Sequence, residues 1–270
     1  MPRKKEYSGR PVINKRASNR RMFLIGDYKR GNQVLGIYHD AFDVFVETLR
    51  KRIKANQQNV IIVDGDTGAG KSTLAIQICI ELAKKLDVSF DLKRDYIYSF
   101  DDLWDKLQDP DASPINLIDE GSLLLSSKNS MSRENKDMVN LFNTMRSRGW
   151  STVICAPSIF QIDKGVRTIH ADYRVHCSSE DHSLIKGYGR GFFEVSKAKR
   201  SEFSRDSEPY WYLLYTGVFG KLPDKVDKEY QPIKREAQSK LIKNIVDKNR
   251  EREKRYMRRY QKEEDEGSCV

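Results

Sequence analysis

"VIIVDGDTGAGKSTLAIQ", residues 60–77, passes from a short β-branched run through three glycines to Lys71-Ser72-Thr73 and back into apolar residues. A run such as Val60–Val63 is the kind of strand that parallel sheets bury on both faces. Glycines at 65, 68 and 70 let the chain turn tightly and aim successive N–H groups at one point. The residues from Lys71 onward then read as a helix, whose N-terminal dipole favours an anion at the same point. Strand, glycine-rich turn and helix in this order predict a phosphate-holding α/β unit.

The spacing over Gly65–Ser72 is GxxxxGK[ST], a Walker A motif. Gly65, Gly68, Ala69, Gly70, Lys71, Ser72 and Thr73 are the expected nucleotide contacts. Lys71 reaches the β and γ phosphates as a point charge, and the Ser72 hydroxyl holds Mg2+. Asp66 and Thr67 occupy variable positions and are assigned nothing. "INLIDE", 115–120, supplies a partner: apolar residues ending in two acids, as in Walker B. Asp119 is the expected Mg2+ residue. Glu120 can orient and deprotonate an attacking water, which hydrolysis needs and a switch or kinase does not. A Glu120 that merely opens the following loop is the alternative.

Working outward, Phe42, Val46, Leu49 and Ile53 have helical spacing after Asp40, a candidate N-cap. "YIYSF" (96–100) reads as a second strand, followed by a short helix with Ser99 and Asp102 as an approximate capping box. Strand 114–120, helix 135–149 stopping at Gly149, and strands 150–158 and 172–179 continue the alternation. Segments near 189–197 and 210–219 read as late, antiparallel additions at one edge, and a charged helix begins near Pro232. The expected fold is α/β: a mostly parallel central sheet of P-loop NTPase type with helices on both faces and a C-terminal charged helix. The expected division is a basic segment 1–33 without a core of its own, an ATPase domain 34–220, and a charged tail 221–270.

The net charge of +10 is unevenly spread. The first 30 residues carry ten Lys or Arg against two Asp or Glu, the last 50 fifteen against eleven, and the rest is near neutral. Basic ends on a neutral body suit a polyanion partner, or are simply solvated tails. Cys79, Cys155, Cys177 and Cys269 have no metal-ligand spacing; the first three lie in apolar runs, which suits core residues and a reducing compartment. His39, His170, His176 and His182 also lack metal spacing. The N-terminus lacks the apolar stretch of a secretory signal. The longest uncharged run, 149–162, is shorter than the roughly 20 residues a bilayer span needs. A soluble, cytoplasmic protein is expected, in the host cytoplasm if viral.

With its Asp-Glu Walker B, the chain resembles the additional-strand, catalytic-glutamate P-loop ATPases. Residues 114–182 are similar to the FtsK/HerA type of DNA-pumping motors, which includes viral genome-packaging ATPases. The shared features are the Walker B strand, a helix ending in Arg146-Ser147-Arg148-Gly149, the apolar strand "STVICAPS", and "HADYRVHCSSEDHS". The resemblance implies ATP and Mg2+ as cofactors, double-stranded DNA as a partner and a homo-oligomer, usually a ring. It maps an arginine finger, supplied in trans, to Arg146, with Arg148 next and Arg167 third. A solvated helix end is the alternative for these arginines. The family's Gln after the polar strand tip is displaced here, which leaves Ser158 as first and Gln161 as second choice for the γ-phosphate sensor. Lys128 and Arg133 lie where a channel loop could emerge or where an ordinary surface loop would run. Arg250, Arg252, Lys254, Arg255, Arg258 and Arg259 form the densest basic cluster, a DNA contact or a solvated helix.

The leading expectation is therefore an ATP-hydrolysing motor that translocates or packages double-stranded DNA. The alternatives are a filamentous-phage assembly ATPase of the zonula occludens toxin type, a P-loop nucleotide or small-molecule kinase, and a non-enzymatic nucleic-acid binder whose P-loop only switches shape.

Overall fold

The computed structural model describes residues 24–30, 33–126, 133–178, 191–201 and 208–267. Among the described residues, eight strands form one sheet: β1 (Leu24–Arg30), β2 (Gln33–Tyr38), β3 (Asn59–Gly65), β4 (Ile115–Ile118), β5 (Ser151–Cys155), β6 (Tyr173–Ser178), β7 (Gly191–Lys199) and β8 (Tyr210–Phe219). Their spatial order is β1-β2-β8-β7-β6-β3-β5-β4. β6, β3, β5 and β4 are mutually parallel. β7 pairs antiparallel with β6 and with β8, β8 runs parallel to β2, and β1 closes an antiparallel hairpin with β2.

Among the described residues, six α-helices accompany the sheet: α1 (Ala41–Lys54), α2 (Lys71–Leu86), α3 (Leu92–Asp95), α4 (Phe100–Gln108), α5 (Gly121–Leu124) and α6 (Arg133–Ser147). Pleating sends successive β3 side chains to opposite faces. Val60 and Ile62 join Leu103 and Leu107 of α4 and Leu141, Phe142 and Met145 of α6 in one buried cluster. On the other side α1 and α2 pack together and against the sheet, with Phe45 meeting the rings of Tyr173 at 5.4 Å and Tyr215 at 6.5 Å. The parallel centre is thus covered on both faces, as its uniformly buried β3, β4 and β5 require.

Local chemistry explains several element ends. The Ser99 side chain accepts from Asp102 N while the Asp102 side chain accepts from Ser99 N, a complete capping box. Gly149 stops α6 with φ +66°. Asp40 precedes α1 but makes no capping bond from its side chain.

Two local expectations differ from what is observed, and one strand lies where none was expected. Residues 96–100 form no strand: Tyr96 makes one parallel bridge to Leu117 and Ile97 N donates to Leu117 O. Ser99 and Asp102 then turn the chain into α4, so a local cap overrides the β-propensity of "YIY". β1 lies inside the segment 1–33 and pairs with β2, which β8 joins to the rest of the sheet. The last helix begins eight residues before Pro232.

The chain divides into two compact units, Met1–Leu222 and Pro223–Val270. The second is α7 (Asp224–Gly267), with Pro232 inside it. Along it Lys240 pairs with Glu236 one turn away at 2.7 Å, and the Lys234 ammonium lies over the Tyr230 ring. Among the described residues no helix is long and apolar enough to cross a membrane.

Candidate functional site

The loop between β3 and α2 is held from behind by β6. Gly65 has φ +130°, and a Cβ there would stand 1.9 Å from the carbonyl oxygen of Cys177. Asp66 N donates to that same oxygen, and Ala69 N donates back to Asp66 O. Gly70 has a left-handed conformation (φ +91°) and caps α2. The first intrahelical bond is Leu74 N to Gly70 O, so the N–H groups of Lys71, Ser72 and Thr73 precede it at the positive end of the dipole. Lys71 folds over the loop, its Nζ donating to Gly65 O (2.9 Å) and Asp66 O (2.7 Å). Glycine conformations, helix N-terminus and a lysine that can leave backbone oxygens for phosphate oxygens fit a nucleotide triphosphate.

The parallel registers bring the other site residues to the same edge. Ile118 is level with Ile154, and Cys155 with Val63. Asp119 and Glu120 therefore leave β4 beside the tip of β5, two strand spacings, about 10 Å, from the β3 tip that starts the loop. β5 lies between β3 and β4. Asp119 is buried, and its Oδ2 accepts from the Tyr96 hydroxyl at 3.3 Å. Burial and then the charge of Asp119 raise the Tyr96 hydroxyl far above its usual value, and raise the Cys155 thiol likewise. A buried carboxylate at the tip of a strand is an oxygen donor of the kind that suits a divalent cation. Glu120 is half-buried at the head of α5. Gly121 lets α5 sit against β5, since a Cβ there would come 2.3 Å from Ile154 Cγ2.

Ser158 is at the β5 side of this edge, capping a one-turn 3-10 helix (Ile159–Gln161), where its hydroxyl accepts from Phe160 N. Gln161 is exposed in the same turn.

Sequence reading missed a buried ionic junction beneath the loop. Asp64, the residue before Gly65, is almost fully buried. Its carboxylate accepts from Arg174 Nε at 3.0 and 3.1 Å, lies 2.8 Å from Arg174 Nη2, shares a 2.9 Å hydrogen bond with His176 Nδ1, and accepts from Ile159 N at 3.1 Å. Burial alone would raise this carboxyl, but the His176 and Arg174 hydrogen bonds and charges outweigh it and hold it below the ordinary carboxylate value. The signal was present in the sequence: Arg174 and His176 alternate with Val175 and Cys177, so β6 offers two polar residues on one face of a central strand.

Two of the candidate arginines are elsewhere, and the third, Arg167, donates to Phe160 O in the Ser158 turn at 3.2 Å. Arg146 is in the last turn of α6 and Arg148 just follows it, close before Trp150, whose carbonyl accepts from Asn59 N at the start of β3. That edge is about 20 Å from the phosphate loop, the length of β3. Arg146 is exposed. Arg148 is engaged within its own chain, donating to Leu107 O at 2.7 Å with its guanidinium over Trp150. Arg167 pairs with Glu208 at 2.7 Å and covers the Phe160 ring. Cys79, Cys155 and Cys177 are buried free thiols; burial pushes Cys177 up to about 12, with the charge of Lys71 acting the other way. Lys128, His182 and Cys269 lie outside the described residues, as do the side chains of Arg133, Arg252, Arg255, Arg258 and Arg259.

The family described as Novel STAND NTPase 3 matches residues 44–161, which contain the phosphate loop and the Asp119-Glu120 tip. No curated protein is significantly similar in sequence. Among solved structures, the N-terminal domain of zonular occludens toxin from Neisseria meningitidis is 15% identical, with a TM-score of 0.36, over 58% of this chain and 93% of that one. The genome packaging NTPase of Sulfolobus turreted icosahedral virus 2 is 15% identical in its sulfate complex, with a TM-score of 0.38, over 53% of this chain and 92% of that one. In its AMPPCP complex it is 17% identical, with a TM-score of 0.35, over 53% and 93%. The strand, loop and helix of residues 59–86, set in a parallel sheet, give this chain the fold of a P-loop NTPase.

Proposed function

We propose that the chain is an ATPase that uses Mg2+ and ATP to move double-stranded DNA, as a translocase or packaging motor. The observation that carries this reading is the meeting, at one sheet edge, of the loop closed by Lys71 with the Asp119-Glu120 tip, with β5 between their strands. In this reading Gly65, Gly68, Ala69, Gly70, Ser72 and Thr73 hold the phosphates with Lys71. Ser72 and Asp119 hold the metal. Glu120 takes the proton of the attacking water, and Ser158, or else Gln161, senses the γ-phosphate. The cation supplies charge neutralisation on the phosphate oxygens.

Arg146 cannot reach a nucleotide bound by its own chain, which supports a role in trans and hence a homo-oligomer, a ring being the simplest closed form. Arg148, held by Leu107 O and Trp150, is the weaker candidate. The basic segment 1–33 and the charged tail 221–270 flank a catalytic domain 34–220 and contribute sequence-independent DNA contacts. The site of action is the cytoplasm. The experiment is ATP turnover with and without double-stranded DNA at low salt, beside particle size in solution. Stimulation by DNA of an oligomer supports the motor; equal turnover in both conditions favours a kinase or assembly ATPase.

A further inference from the structure

We infer that Asp64 is a positioning residue that ties the phosphate loop to the Ser158 turn, so that the loop and the sensing turn move as one body. This rests on the ATPase reading of the same site.

A charged residue in the middle of a parallel sheet is unfavourable unless it is fully matched, and Asp64 is matched from two directions. Arg174 and His176 come from β6, on one side of β3. Ile159 N comes from the turn after β5, on the other side. One carboxylate therefore joins three adjacent strand tips, one residue before Gly65 and one residue after Ser158. An apolar residue would bury as well at this position, but it could not fix the turn, because the Ile159 N–H is the first donor of a 3-10 turn and has no carbonyl within that turn to meet. Arg174 and His176 are partly exposed, so the junction has solvent access from the β6 side.

Coupling of this kind acts after binding. The loop can grip phosphates through its own amides and Lys71, whereas hydrolysis needs the turn held at the correct distance from the γ-phosphate. Loss of the tie should then leave nucleotide affinity largely intact and slow the chemical step.

The test uses the full chain, with Mg2+-ATP affinity and single-turnover hydrolysis measured separately for four variants. Asp64→Asn keeps the shape and removes the charge; the expected result is affinity within threefold of the unsubstituted protein and hydrolysis at least tenfold slower. Ile159→Pro removes the backbone donor together with the buried side chain, and the extended Ser158 before it (ψ 143°) accommodates a proline. Ile159→Ala is its control, since both lose the buried side chain. Hydrolysis by Ile159→Pro at least tenfold below Ile159→Ala, at similar affinity, supports the tie even where Asp64→Asn does not fold. Rates equal between Pro and Ala variants overturn it, as does a parallel loss of affinity and rate that follows the folded fraction. Lys71→Ala separates the two levels: full turnover in that variant overturns the ATPase reading and this inference together. A dead Lys71→Ala beside fully active Asp64→Asn and Ile159→Pro overturns this inference alone.

Discussion

The carbonyl oxygen of Cys177 occupies the place where a side chain on Gly65 would begin, 1.9 Å from the would-be Cβ. The contact fixes where β6 can lie relative to the phosphate loop, because Asp66 N donates to the same oxygen. Loop and strand cannot separate without losing that hydrogen bond.

Gly65→Ala should accordingly destabilise the protein by about 3–5 kcal/mol, since its obstacle is backbone and its φ is +130°. Gly68 differs: its φ is +81°, but no atom lies within 4 Å of a Cβ there. Gly68→Ala should cost about 1–2 kcal/mol, from the left-handed conformation alone. Chemical denaturation of the two variants measures the difference.

The opposite placement of Arg146 and the phosphate loop predicts complementation. Arg146→Ala and Lys71→Ala should each be inactive alone, and mixing them should restore part of the turnover, because some interfaces pair an intact loop with an intact arginine. Arg148→Ala should behave differently, losing about 1 kcal/mol of stability through its bond to Leu107 O. If mixtures stay inactive while the variants co-assemble, Arg146 does not act in trans.

His170 gives a pH signature. It is buried in a single π-helical turn (Val166–His170) with its ring against Phe142. Burial, and then the charges of Arg146 and Arg200, lower its pKa to about 4. The unfolded chain protonates this group near 6.5 and the folded one near 4, so stability is full above pH 6.5 and falls as the pH drops through that window, by on the order of 3 kcal/mol. Asp64 adds a separate loss at lower pH, as its depressed carboxyl becomes protonated. Urea denaturation across pH 4–7 should show the slope, and His170→Phe should flatten it. An unchanged slope in that variant would assign the acid sensitivity to carboxylates.

The basic cluster of α7 predicts salt dependence. Replacing Arg250, Lys254 and Arg258 by Gln should reduce the slope of log affinity for duplex DNA against log salt by about 0.9 for each phosphate that is no longer neutralised. ATP turnover without DNA should be unchanged. An unaltered slope would make α7 a solvated helix.

Much of this architecture is legible in residues 59–86 and 115–120, where β-branched runs, glycines and acids each have one physical use. The parallel centre follows from them. The late antiparallel strands β7 and β8 are legible as segments, but the further extension by β2 and β1 is not, because strand neighbours far apart in sequence, such as Ile37 and Thr216, are set by tertiary packing and by a bond from the Thr216 hydroxyl to Gly36 O. Pro232 misled for a different reason. A proline usually marks a helix boundary, yet α7 continues through it, giving up the bond its missing N–H would have made. The Asp64 junction needed three segments at once: the aspartate alone reads as the end of a strand, and only the β6 register shows His176 level with it.

The most direct test of the account is a pair of measurements on Glu120→Gln: retention of Mg2+-ATP, and its hydrolysis in a single turnover. The account predicts binding close to that of the unsubstituted protein with hydrolysis reduced at least about a hundredfold, and Lys71→Ala losing both. Hydrolysis by Glu120→Gln at the unsubstituted rate would contradict it.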